Sequence, residues 1–173
     1  MREIKLANYN CKLLVDDSDY NRCIQHNWHG DLSSTGGYTI TTSINNKKVN
    51  IANFILRTTK VLYDHKDRNP LNNQRVNLRI STVSQNTANT PKATFNSRKP
   101  SSQYKGVFRS KAPRAQKNPW MARIMKDGIS KHLGCFDSEE KAAIAYNAAA
   151  VKYHGEFAYI NQIINQNQNT KEN

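Results

Sequence analysis

Apolar and polar residues alternate in short bursts along this chain. Residues 4–6 and 12–15 predict two strands around an Asn-rich turn at 8–10. Asp16 and Asp17 offer an N-cap for a helix over about 18–27, on which Tyr20, Cys23, Ile24 and Trp28 recur at roughly helical spacing, with Trp28 in the core. Gly36 and Gly37 open a β-branched strand at 38–44, and Asn45-Asn46 turns it into a second strand at 48–51. A short apolar run (Val61, Leu62, Tyr63) then ends on Asp64 and His65, followed by a loop rich in Asn and Pro. Leu78 and Ile80 alternate with polar residues, which predicts a short strand with both on one face. Thr82-Val83-Ser84-Gln85 has the form of a capping box, a hydroxyl at N-cap and Gln at N3. The helix it starts carries Asn86 and Asn89, and Pro91 closes it by disfavouring helical geometry at Thr90. The order is strand, loop, strand, helix.

Periodicity lapses over 90–103, a stretch of small polar residues with Pro91 and Pro100 that reads as a linker. Its fourteen residues reach at most roughly 45–50 Å when extended, more than the ~34 Å of one duplex turn. It returns at 104–109, 120–125 and 130–136, three strand candidates, with Asp127-Gly128 as a hairpin turn between the last two. Asp137 reads as the N-cap of a helix with acids in its first turn and a face of Ala142, Ala145, Tyr146, Ala149, Ala150 and Tyr153, ended by Gly155. Residues 162–173 form a polar tail. The expected fold class is α+β, with one domain at 1–89 (its core about 50–89), the linker at 90–103, and a second domain at 104–161.

Charge adds a partner to this picture. The 173 residues carry a net charge of +13, with a sequence pI near 9.8, which favours a polyanion. The excess is uneven: residues 1–56 hold six basic residues against five acids, whereas 92–131 hold eleven against one, Asp127. The middle and C-terminal parts are therefore expected to meet the polyanion, with Lys92, Arg98 and Lys99 along the linker path. No stretch approaches the roughly eighteen apolar residues a membrane span needs, and residues 1–5 lack the apolar core of a signal peptide. Cys11, Cys23 and Cys135 are odd in number without CxxC spacing, so neither a disulfide framework nor a structural zinc site is expected, and a reducing cytoplasm is the expected setting. His26 and His29, three apart with no third ligand nearby, read as surface or core.

Candidate chemistry concentrates in 64–89. If the two strands pair and the helix crosses them, Asp64 and His65 face Asn86. A carboxylate and an amide oxygen are hard ligands suited to Mg²⁺, which keeps waters and phosphate oxygens for its other positions. His65, pointing to the opposite side of the strand end, can take a proton from water.

The stretch resembles the HNH homing endonucleases, in the form common in phage and intron-borne genes, whose histidine, central asparagine and final asparagine fall on His65, Asn77 and Asn86. The resemblance implies a ββα-metal fold, with His65 as general base, Asp64 and Asn86 as ligands of Mg²⁺ (or Mn²⁺), and Asn77 holding the loop. Relatives often carry a further His in a strand before the motif, where this chain has Asn53 to Arg57. The phrases YKGVF, WMARI and HLGCFDSEEKAAIAYNAAAVKYHGEFAYIN resemble the Apetala-two/ERF (ethylene-response-factor) DNA-binding domain. That implies a three-stranded antiparallel sheet backed by a helix and laid in the major groove. Its groove-facing candidates are Lys105, Phe108, Arg109, Arg123 and Lys131, with Lys111 as a loop phosphate contact. Plant members place Glu where Arg123 stands and Trp where His132 stands, so base preference does not transfer. The expected activity is metal-dependent hydrolysis of double-stranded DNA by a monomer in the cytoplasm of a bacterial or phage-infected cell. The alternative is a sequence-specific DNA-binding protein whose nuclease is inactive.

Overall fold

The computed structural model describes residues 1–32, 38–59, 61–92, 100–110 and 117–163, with the side chains of Leu32 and Tyr38 left aside. It is mixed α+β with small antiparallel sheets, and it divides into two compact units, Met1–Asn86 and Thr87–Asn173. The division falls inside a helix, whereas the sequence placed it after Asn89.

The first unit opens with the hairpin of β1 (Arg2–Lys5) and β2 (Lys12–Val15), followed by α1 (Asp17–Cys23). Helix α1 is shorter than expected because the chain leaves it after Cys23, where the buried Trp28 indole donates to the Cys23 carbonyl at 2.8 Å. Strands β3 (His29–Leu32), β4 (Tyr38–Ile44) and β5 (Lys47–Asn50) make a three-stranded antiparallel sheet. Residues 53–57, which stand where the relatives carry a His in a strand, lie in or directly after helix α2 (Ile51–Leu56). Its cause is local: the Asn50 side chain accepts from Ala52 N at 2.8 Å, capping the first turn, and Arg57 in the left-handed region ends it. Strands β6 (Tyr63–His65) and β7 (Leu78–Ile80) pair antiparallel, and α3 (Val83–Asn89) follows. The capping box forms reciprocally: Gln85 N donates to Thr82 Oγ1 at 3.2 Å and Thr82 N to Gln85 Oε1 at 2.8 Å. Of the pair expected on one face of β7, only Leu78 is buried; Ile80 is exposed.

The core of this unit joins Ile4, Leu13, Val15, Cys23, Trp28, Ile40, Ile51, Ile55 and Leu78. His26 lies edge-on to Trp28 and Phe54, an aromatic packing role. Buried Asp19 accepts two bonds from Arg75 and one from Arg22, and Arg75 also donates to the Ile55 carbonyl. These guanidinium bonds, Arg75 foremost, hold the Asp19 carboxyl below the usual carboxylate range against its burial.

The second unit is the sheet β8 (Val107–Arg109), β9 (Trp120–Lys126) and β10 (Ile129–Phe136), antiparallel in the order β10-β9-β8, with α4 (Glu139–His154). Asp127 and Gly128 both have positive φ, 49° and 79°, as a tight hairpin turn requires. The N-cap of α4 is Ser138, not Asp137: Ser138 Oγ accepts from Lys141 N at 3.1 Å, while Asp137 pairs with the Lys141 ammonium at 2.7 Å. Ala142, Ala143, Tyr146, Ala149 and Ala150 are the buried residues of α4, and Tyr146, Ala149 and Ala150 pack with Ile124. Alanines let the helix approach the sheet closely. The chain beyond α4 returns to the residues just before β8, where Asn161 Oδ1 accepts from Lys105 N at 2.7 Å and its Nδ2 donates to the Lys105 carbonyl at 3.1 Å.

Gly106 tests this packing directly. Its φ is 73°, and a Cβ there would lie 2.1 Å from Tyr146 Cδ2 and 2.5 Å from the Arg123 carbonyl. Gly106→Ala is expected to cost at least about 1–3 kcal/mol from backbone strain alone, read as a lower urea midpoint for the second unit.

Candidate functional site

In the first unit, β6 presents its residues alternately. Asp64 stands opposite Arg79 on β7, and His65 opposite Leu78. Arg79 donates to Asp64 Oδ2 twice, from Nε at 2.9 Å and Nη2 at 2.6 Å, and the two side chains are only 10% and 6% exposed. A guanidinium this close offsets the cost of keeping the carboxylate ionised in a buried place. The Asn86 side chain reaches back to the same strand, its amide nitrogen 3.5 Å from the Tyr63 carbonyl. Helix α3 therefore brings Asn86 to the backbone directly preceding Asp64.

His65 is held from the loop. Its Nε2 lies 3.2 Å from the Asn73 side-chain oxygen, and the Tyr63 ring stands edge-on to it. Burial pushes its pKa below the usual imidazole range, against the hydrogen bond to Asn73 and the charges of Asp67 and Asp64. A neutral imidazole near neutral pH is the form able to accept a proton.

Asn77 ties the β6–β7 loop. Its oxygen accepts from Asp67 N at 3.0 Å, and its nitrogen donates to Asp67 Oδ1 at 2.9 Å and the Asn72 carbonyl at 2.7 Å. Asp67 also accepts from Asn69 N and Asn72 Nδ2. Hydrogen bonds from the Asn69 backbone and the Asn72 and Asn77 side chains outweigh its burial and lower its pKa.

A hard divalent cation suits the donor chemistry of Asp64 and Asn86, one carrying a carboxylate and the other an amide oxygen. Among the described residues no group of three or more His, Cys, Asp or Glu comes together. A cation held there would take its remaining ligands from water and phosphate, the habit of Mg²⁺. It would also share the Asp64 carboxylate with Arg79, a residue that the sequence did not single out. The signal was its place in register opposite Asp64, visible only once the pairing is known.

In the second unit the sheet has two faces. Val107, Ala122 and Ile124 point into the core, while Phe108, Arg123 and Met125 are exposed. By register Phe108 is paired with Met121, and His132 with Arg123. The open face thus carries Phe108, Met121, Arg123, Met125 and His132, a cation and an imidazole among apolar groups. Three expected groove-facing residues sit otherwise. Lys131 pairs with Ile124 on the helix-covered face, its ammonium 4.7 Å from the centre of the Tyr153 ring. The cause is a bulge between His132 and Gly134 that reverses the alternation along β10. Arg109 is paired with Trp120 and lies over its ring at 5.8 Å. The Lys105 ammonium donates to the carbonyls of Thr87, Ala88 and Thr90 at 2.9, 2.8 and 2.5 Å, so it is committed to backbone oxygens. Lys92 is likewise bound to the carbonyls of Tyr104 and Val107. Arg98, Lys99 and Lys111 lie outside the described residues. No helix among the described residues is long and apolar enough to cross a membrane.

Comparison with known proteins gives three likenesses. The chain is 38% identical over 103 residues to a protein described as an uncharacterized HNH endonuclease of Acanthamoeba polyphaga mimivirus, a match covering 60% of this chain and 48% of that one. It is 40% identical over 74 and over 67 residues to two AP2-like ethylene-responsive transcription factors of Arabidopsis thaliana, covering 39% and 35% of this chain. These matches span about half the length of the viral relative and 13% and 22% of the plant proteins. No family model matches the chain, and no solved structure does. The likenesses are thus to a protein named as an endonuclease on one side and to proteins named as transcription factors on the other.

Proposed function

We propose that the chain is a metal-dependent DNA endonuclease of the HNH homing type, with a ββα-metal catalytic part and a C-terminal Apetala-two/ERF-like module that selects the site. The observation that supports it most is the convergence on β6: Asp64 and His65 on the strand and the Asn86 side chain beside the Tyr63 carbonyl. The named relatives agree with both halves of the reading. Mg²⁺ or Mn²⁺ bound by Asp64 and Asn86 would supply charge neutralisation at the scissile phosphate and the leaving 3′-oxygen.

The chain's own residues do the rest. His65 accepts the proton of the attacking water, its burial favouring the neutral ring. Asn77 holds the loop between the strands so that the end of β6 keeps its place. Arg79 balances Asp64. The module's open face, with Arg123 and His132 in register, meets base edges in the major groove of double-stranded DNA. A monomer in the cytoplasm is the setting in which we expect this.

The second reading is a DNA-binding regulator with a silent nuclease. It is favoured by the Asp64–Arg79 ion pair, which already satisfies the expected metal carboxylate. Incubating the chain and DNA with Mg²⁺ or with excess chelator separates the two. We expect strand scission only with the metal, its loss in Asp64→Ala, and better tolerance of Asn86→Asp than of Asn86→Leu, because Asp keeps an oxygen ligand. Binding without scission under every metal condition would leave the regulator reading standing.

A further inference from the structure

Asn73 is wholly buried, a polar side chain with no exposed surface, in the loop between β6 and β7. Both ends of its amide are bonded. The nitrogen donates to the Pro70 carbonyl at 2.9 Å, which fixes the orientation of the amide and turns its oxygen to His65 Nε2 at 3.2 Å. An amide oxygen can only accept. The proton of the neutral imidazole therefore belongs on Nε2, and the lone pair able to take a proton from water is that of Nδ1.

Asn73 is itself held from the N-terminal hairpin. Its backbone N–H donates to the Leu14 carbonyl at 2.8 Å, and Leu14 N donates to the Leu71 carbonyl at 2.7 Å, so β2 runs beside the loop. Asp16 extends the grip, accepting from Arg75 N at 2.7 Å and Gln74 Nε2 at 3.3 Å. A side chain buried this completely has no rotational freedom to spare, and its anchor lies about sixty positions back along the chain.

We propose that Asn73 is the positioning residue of His65. It fixes the ring with Nε2 protonated and Nδ1 as the proton acceptor, and the N-terminal hairpin sets its place through Leu14. The inference rests on His65 being the base. It gives the first strands of the chain a part in the chemistry, because loosening β2 moves the amide that aims the imidazole.

The test begins on the intact chain, free of added metal, labelled with ¹⁵N and held at a pH where the ring is neutral. The His65 signals, identified by their loss in His65→Gln, should show a protonated Nε2 with slow proton exchange and an unprotonated Nδ1. A protonated Nδ1, or a ring proton exchanging as fast as in free histidine, overturns the proposal without any Asn73 variant having to fold. In Asn73→Leu the slow Nε2–H signal should vanish and cleavage should slow by roughly tenfold to a hundredfold, the scale of losing an orienting partner, with DNA affinity unchanged. Asn73→Asp, which keeps an oxygen at that place, should retain the signal. If His65→Gln abolishes cleavage while Asn73→Leu cleaves as the parent does, the positioning role falls and the base assignment stands. If His65→Gln cleaves normally, the base assignment falls, and with it the catalytic meaning of Asn73.

Discussion

Replacing His65 with alanine is expected to slow DNA cleavage by about two to four orders of magnitude, the usual contribution of a general base, while DNA affinity stays nearly unchanged. The separation follows from where the residue sits. His65 is a partly buried side chain whose ring meets Asn73 and Tyr63 in the first unit, whereas the basic excess lies in 92–131. Deleting an imidazole that burial keeps neutral removes no phosphate-neutralising charge, so the salt dependence of binding should not move. Single-turnover cleavage and equilibrium binding, measured on one DNA, check both halves. Equal losses in the two would mean that His65 contacts DNA or supports the fold, and the catalytic assignment would have to be given up. The core near the site makes a fold effect detectable: Leu78, opposite His65 in register, is part of the main apolar cluster, so thermal unfolding of the variant reports any collapse.

How much of this could be read from the chain depends on whether the cause was local. The capping box at Thr82 and Gln85, the Asp127-Gly128 turn, and the strand–loop–strand–helix order are all written in adjacent residues, and each is present. Helix α2 was missed because its cap, Asn50, sits among β-branched and Asn residues that continue the preceding strand pattern, and six residues make too few turns for a period to show. Strand β3 was missed because His29-Gly30-Asp31-Leu32 has one apolar residue in four; its pairing with β4 creates it. Lys131, groove-facing by the resemblance, lies on the covered face of β10 because one bulged residue separates it from Cys135, which pairs with Met121 on the open face. The partners of the site are the least legible of all. Asp64 with Arg79 and His65 with Asn73 are pairings of residues fifteen and eight positions apart, set by strand register and by a hairpin near the N-terminus. Adjacent sequence named the chemically capable groups, and tertiary structure named what controls them.

The steepest expected change in DNA affinity comes from removing the second unit. A chain ending at Ser97 keeps Asp64, His65, Asn77 and Asn86 but loses ten of the eleven basic residues in 92–131, keeping Lys92 alone. Each phosphate neutralised contributes roughly 0.9 to the slope of log affinity against log salt. Lys105 is among the ten yet is committed to backbone carbonyls, so it should add nothing. If about five of the others meet phosphate, the full chain should exceed the fragment in slope by roughly 4–5 units. Point substitutions then divide the module by kind of contact. Arg123→Ala, on the open face with His132 in register, should narrow the gap between specific and random DNA by about 1–3 kcal/mol if its contact to a base is bidentate. Lys111→Ala should weaken both DNAs alike and lower the slope by about one unit. Lys131→Ala, whose ammonium lies against Tyr153 on the other face, should leave base discrimination as it was. The fragment should cut weakly and with little site preference. A folded fragment that equals the full chain in affinity, salt slope and choice of site would show that the second unit does not read DNA.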